Sequence, residues 1–159
     1  MEGVFLIRRL QPYNAKLKNR LIRTPKIYWR DSGLLHRLLG ANGKTQLAAQ
    51  PWVGESWEGW IIEQILASYS SRGVEVEASF FRDRDGLECD LVLDIEGKRE
   101  LIEIKLTSYP ATEDLTKLRK IQSLIGAERI VLLTRCRDIV TKGGIWMTDL
   151  RGYIEATKE

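Results

Sequence analysis

The run Arg-Ile-Val-Leu-Leu-Thr at 129–134 constrains the fold of this chain more than any other stretch. Its apolar residues follow one another without alternation, so a strand made from them needs cover on both faces. Helices on both sides of a sheet provide that cover, and the chain supplies them. Trp57, Trp60, Ile61, Ile65 and Tyr69 recur at helical spacing over about 55–71, with Gly73 as the stop. After Pro110, Leu115, Leu118, Ile121, Leu124 and Ile125 repeat the pattern over about 112–125. Three strand-like runs lie between the two helices. EVEASFFR (75–82) and LECDLVLDI (87–95) flank Asp85-Gly86, a hairpin signal, and RELIEIKLT (99–107) follows Glu96-Gly97-Lys98. The order is αβββαβ, which predicts an α/β fold with a mixed central sheet flanked by helices.

The flanking segments are less patterned. FLIRRL (5–10) and KIYW (26–29) read as short strands, and Asp31 or Ser32 caps a helix through Leu39 that Gly40 stops. Residues 40–53 read as a loop, and the tail holds Gly143-Gly144, the apolar piece IWM and a short element near 148–155. With 159 residues, 43% of them apolar and 30% charged, the chain can bury one domain-sized core without staples. No apolar run approaches the ~20 residues of a membrane span. The N-terminus has only a four-residue apolar run and no small-residue cleavage site, so neither a membrane anchor nor a secretory leader is expected. Cys89 and Cys136 form no CxxC pair, which argues against zinc and disulfides and for a reducing, cytoplasmic setting. The one histidine, His36, lies in a short apolar helix pattern and reads as structural or as a solvent-facing helix residue. Gly43-Lys44-Thr45 resembles the end of a phosphate-binding loop. Leu38 stands where that loop needs glycine, however, and no strand precedes it, so the chain alone is no ATPase.

Charge is divided unevenly. Residues 1–37 carry nine Lys/Arg against Glu2 and Asp31, a net of +7, while the remainder is −4 and the whole chain +3. A basic segment on a mildly acidic body suits a polyanion or an acidic partner surface, and it equally suits a solvated connector.

Three pieces converge on one chemistry. Glu58 falls within the apolar arc formed by Trp57, Trp60, Ile61, Ile62, Ile65 and Tyr69, whereas Glu63 falls on the opposite side. An inward carboxylate needs a partner or a metal. Asp90 lies in Leu87–Leu93, where alternation places Leu87, Cys89, Leu91 and Leu93 on one face and Asp90 beside Val92 on the other. Glu103 and Lys105 share a face of the third strand, opposite Ile102, Ile104 and Leu106. Carboxylates on adjacent strands can share Mg²⁺ or Mn²⁺, and a neighbouring lysine can orient or deprotonate a water or neutralise charge on a phosphorane. Glu58, reaching across from the helix, could hold a second metal or its water shell. Arg82 and Arg84 flank the hairpin next to this site and are candidates for phosphate contacts, or simply a solvated turn.

Asp90, twelve intervening residues, then Glu103-Ile104-Lys105 resembles the signature of the PD-(D/E)xK nuclease superfamily, with Cys89 where the motif has proline. A closer resemblance spans nearly the whole chain. LQPYNAKLKNRLIRTPKIYWRDSGLLHRLLG, GESWEGWIIEQIL, FFRDRDGLECDLVL and LIEIK look like the C-terminal nuclease-like domain of a prokaryotic AAA+-type ATPase family. The resemblance implies a restriction-endonuclease-like core over 51–159, with acidic positions at Glu58, Asp90 and Glu103 and the lysine at Lys105. Residues 1–50 would then be a basic extension, a remnant of a winged-helix or linker region, with the ATPase supplied in cis or in trans. The expected activity is Mg²⁺- or Mn²⁺-dependent hydrolysis of DNA, with Lys16, Lys18, Arg20 and Arg23 as further DNA contacts. The alternative is a non-catalytic module with a degenerate nuclease fold that binds nucleic acid or docks on an ATPase.

Overall fold

A computed structural model describes residues 3, 5–13, 21–108, 112–136 and 140–158. The strands are β1 (Ile7–Pro12), β2 (Lys26–Trp29), β3 (Glu77–Arg82), β4 (Glu88–Ile95), β5 (Lys98–Ile104), β6 (Arg129–Leu133), β7 (Val140–Lys142) and β8 (Ile145–Thr148). The helices are α1 (Ser32–Leu38), α2 (Lys44–Ala48), α3 (Val53–Ser71), α4 (Thr112–Ile125) and α5 (Leu150–Ala156).

One eight-stranded sheet runs in the order β2-β1-β3-β4-β5-β6-β8-β7. It is mixed: β1 with β3, β5 with β6 and β6 with β8 are parallel, and the other pairs are antiparallel. As its apolar run requires, β6 lies inside the sheet with cover on both faces. Val131 and Leu133 pack with Ile61, Ile65 and Tyr69 of α3 and with Tyr153 of α5. Ile130 and Leu132 pack with Leu118, Ile121 and Ile125 of α4. No helix among the described residues is long and apolar enough to cross a membrane.

Local chemistry sets the element ends. Asp31 caps α1 by accepting from the Leu34 N–H at 2.9 Å, and Asp149 caps α5 through the Gly152 N–H at 2.8 Å. In the β3–β4 hairpin, Asp83 accepts from the Asp85 and Leu87 N–H groups at 3.0 and 2.8 Å. Gly86 closes that turn at φ +86°, a conformation that favours glycine.

Three expectations are corrected. The loop 40–53 contains the short helix α2, whose five residues are too few to show a period. Glu63, assigned to the side of α3 away from its apolar arc, is 7% exposed. The reason is that β1 and β2 cover that side and bring Arg8 and Arg30 onto its carboxylate. Finally, β4 does not alternate cleanly. Ser79 pairs with Val92 but Phe81 with Cys89, so Asp90 and Leu91 stand opposite Phe80 alone. This bulge turns Cys89 and Leu87 to the α4 side, while Leu91 and Leu93 keep to the α3 side.

The first fifty residues contribute two strands to one edge of the sheet. Leu10 and Tyr28 are 2% and 8% exposed and belong to the main core. Burying side chains of this size contributes roughly 1.5–3 kcal/mol each.

Candidate active site

Asp90 sits at the β4 bulge and is 8% exposed. The β4–β5 ladder is last paired at Leu91 with Ile102. Beyond that point the Ile104 N–H donates to Asp90 Oδ2 at 3.0 Å, so a side chain takes over where the strand partner ends. Burial pushes the Asp90 carboxyl up to about 8, with the Glu103 and Glu58 carboxylates adding to the shift and Lys26 opposing it.

Glu103 points to the α4 side and is also 8% exposed. Its Oε1 takes the Lys105 ammonium at 2.8 Å, and its Oε2 is buried with no hydrogen-bond partner among the described residues. An orphaned carboxylate oxygen is costly in low dielectric and marks a place where a cation or donor fits. Burial raises the Glu103 carboxyl; Lys105 opposes that shift, and Asp114 and Glu58 reinforce it. Lys105 also reaches Asp114 of α4 at 3.6 Å. Burial lowers its ammonium, but Glu103 and Asp114 outweigh burial and leave it raised, so Lys105 stays protonated at neutral pH. A cavity of about 320 Å³ lies here, lined by Glu88, Asp90, Glu103, Lys105, Asp114 and Lys117 among others.

Glu58 enters from α3. Its Oε1 accepts from the Lys26 ammonium at 2.8 Å and from the Tyr28 hydroxyl. The Tyr28 ring lies against Gly59, where a Cβ would come within 2.9 Å of Tyr28 Cδ1. Lys26 also meets Glu88 Oε1 at 2.8 Å and Asp90 Oδ1 at 3.4 Å, so its ammonium touches three carboxylates. Burial would lower it, yet Glu58 and Asp90 more than compensate and raise it above the ordinary lysine range. Glu88 is further held by Arg82 through Nε at 2.9 Å and Nη2 at 2.7 Å.

Glu58, Asp90, Glu103 and Lys105 thus surround one end of the β4–β5 pair. Arg82 is committed to Glu88, while Arg84 is exposed on the hairpin turn and Arg23 is exposed beyond it. Lys16, Lys18 and Arg20 lie outside the described residues. His36 bonds Ser56 Oγ at 2.7 Å and stacks near Trp52, a structural role. Sequence reading missed Lys26, Tyr28, Glu88 and Asp114. A signal existed for the first two, because Lys26 and Tyr28 are two apart in β2 and share a face, whereas Ile27 is 62% exposed. Among the described residues, no three His, Cys, Asp or Glu side chains are gathered as a metal-holding group. The carboxylates that would form one are spread around Lys26.

A family model described as a domain of unknown function (DUF4143) matches residues 53–153. A second domain of unknown function (DUF8612) matches residues 1–45. Uncharacterized proteins of Mycobacterium bovis and Mycobacterium tuberculosis are each 39% identical over 111 residues, which is 70% of this chain and 24% of the relative. The chain therefore matches about a quarter of the length of these relatives. No solved structure matches.

Proposed function

The chain belongs to the DUF4143 family, and from that premise we propose that it is a divalent-metal-dependent phosphodiesterase domain of the PD-(D/E)xK kind that hydrolyses DNA. The observation that carries this reading is that buried Asp90 and Glu103 line one cavity beside Lys105, with Glu103 Oε2 lacking a hydrogen-bond partner among the described residues. The residues fit a hard cation, since Mg²⁺ needs only one or two carboxylates plus water and phosphate oxygens. Asp90 and Glu103 would hold it, with Glu58 contributing from α3. When bound, such an ion polarises a phosphoryl group and lowers the pKa of an attacking water.

The chain's own groups then have distinct tasks. Lys105, kept protonated by Glu103 and Asp114, neutralises charge on the phosphorane rather than acting as base. The Ile104 N–H fixes the Asp90 carboxylate in position. Arg84 and Arg23, both exposed near the hairpin, offer phosphate contacts. Attachment to an AAA+-type ATPase belongs to the same proposal. The match covers 24% of the relatives, which leaves room in them for a further domain.

A second reading follows from Lys26: an ammonium held among three carboxylates suits a neutralised, non-catalytic module that binds nucleic acid or docks on an ATPase. Calorimetric titration with Mn²⁺, followed by cleavage assays on single-stranded, duplex and flapped DNA, separates the two. The enzyme reading expects binding and metal-dependent cleavage that Lys105→Ala lowers by about 10²-fold or more. Neither binding nor cleavage would leave the docking module standing.

A further inference from the structure

We propose that the free edge of β2 is a docking strand for a partner protein, whose extended segment bonds to the backbone of Ile27 and Trp29 and sets a basic side chain against Glu55. The proposal stands apart from the metal-dependent reading and gives docking a place on this chain. β2 ends the sheet, and among the described residues its strand partner is β1. In that antiparallel ladder Trp29 stands opposite Ile7, Tyr28 opposite Arg8 and Ile27 opposite Arg9. One step further, the Arg30 N–H donates to the Leu6 carbonyl at 3.0 Å. Hydrogen-bonded pairs alternate along such a ladder, so Lys26 and Tyr28 bond β1 while the N–H and C=O groups of Ile27 and Trp29 point away from it. Among the described residues, no other backbone group bonds those four.

The open groups border a walled groove. A cavity of about 500 Å³ is lined by all four residues of β2, by Leu35 and Leu39 of α1, and by Trp52 and Glu55 where α3 starts. Proteins commonly blunt an open edge with charge, proline or a bulge. Here the Lys26 ammonium is turned inward to Glu58, and the edge shows Ile27, 62% exposed. Leu39, on the same cavity, is 52% exposed.

Charge and register name the occupant. Glu58 and Glu88 also line the cavity and are held by Lys26 and Arg82, whereas Glu55 has no partner among the described residues. Three carboxylates against two cations leave one negative charge unanswered in the lining. That charge repels a phosphate backbone and accepts a lysine or arginine side chain. α3 lies on the Tyr28 face of β2, and Ile27 points to the other face. An added strand therefore offers a basic residue to Glu55 and covers Ile27 with an apolar one, the two kinds alternating along it. A second copy of the chain fits less well. The antiparallel register that satisfies Ile27 and Trp29 in both copies sets Lys26 opposite Arg30, like charges face to face.

The test is hydrogen exchange by NMR on the full chain, with a blocked peptide of about eight residues in which lysine alternates with valine. In the free chain the Ile27 and Trp29 amides should exchange faster than that of Tyr28, which β1 protects. At saturation the peptide should slow both by about tenfold or more. Glu55→Lys should weaken binding about tenfold. Ile27→Pro, which costs no bond to β1, should abolish it. Because either variant could disturb the fold, melting curves accompany them, and the wild-type exchange pattern needs neither. Protection of Ile27 and Trp29 in the free chain, unchanged exchange with the peptide, or equal binding of a glutamate–valine peptide overturns the proposal. A dimer in sedimentation that Ile27→Pro dissolves would give the edge to a second copy. Slowing by single-stranded DNA in place of the peptide would give it to nucleic acid, and either result overturns the proposal too. Metal-dependent cleavage is read separately, so the failure of docking leaves that reading as it was.

Discussion

Asp90 is held in the folded chain at a cost. Its carboxyl is pushed up to about 8 by burial and by Glu103 and Glu58. A group whose folded pKa is raised contributes stability below its ordinary range, near 4, and loses it as pH rises through about 8. Asp90→Asn removes that charge and can keep the bond from the Ile104 N–H. It should therefore stabilise the protein by about 1–2 kcal/mol at pH 8–9, with little gain at pH 4–5, while losing Mn²⁺ affinity. Melting curves across pH check this, and a uniform loss of stability would contradict it. Glu58, Asp90, Glu103 and Lys105 could be named as candidates from the sequence because their spacing is a local property, although the face of Asp90 depends on the β4 bulge. Lys26 and Glu88 could not, since Lys26 meets its partners 32, 62 and 64 residues away.

At the scale of elements, local periodicity served well where packing agreed with it. β2 at 26–29 and α4 at 112–125 have the expected bounds, and α3 and the β3–β4 hairpin lie within two residues of theirs. The β4 bulge was illegible because only pairing with β3 produces it, and it reverses the faces assigned to Leu87 and Cys89. The seating of β2 on α3 likewise depends on contact between elements. Gly59 makes room for Tyr28, whose hydroxyl then reaches Glu58. Gly59→Ala should cost about 1–3 kcal/mol in urea unfolding, because backbone and ring must part. Gly54→Ala, in the same helix with open space around it, should instead stabilise by roughly 0.5 kcal/mol. Equal effects at the two positions would remove Tyr28 from the account.

For the whole molecule, the uneven charge acquires an internal use. Arg8 and Arg30 of the basic segment neutralise Glu63, and Lys26 meets Glu58, Glu88 and Asp90. Part of the +7 is thus answered within the chain rather than offered to DNA. A chain beginning at residue 51 would lose β1 and β2, expose the core around Phe80 and leave Glu58 and Glu63 without these cations. It should melt at least about 10 °C lower or lose cooperative unfolding altogether, given that ~1 kcal/mol shifts a domain of this size by several degrees. An unchanged transition would show that the N-terminal strands are dispensable. By itself the sequence determined the class of fold and the order αβββαβ, and it singled out Glu58, Asp90, Glu103 and Lys105 as candidates. These follow from patterns only a few residues long, set by the periods of helix and strand. Tertiary structure alone decided that the basic segment joins the sheet, that Glu63 is buried, and that an ammonium occupies the centre of the carboxylates. Those outcomes depend on which strands become neighbours, and a side-chain period carries no information about partners thirty or sixty residues away.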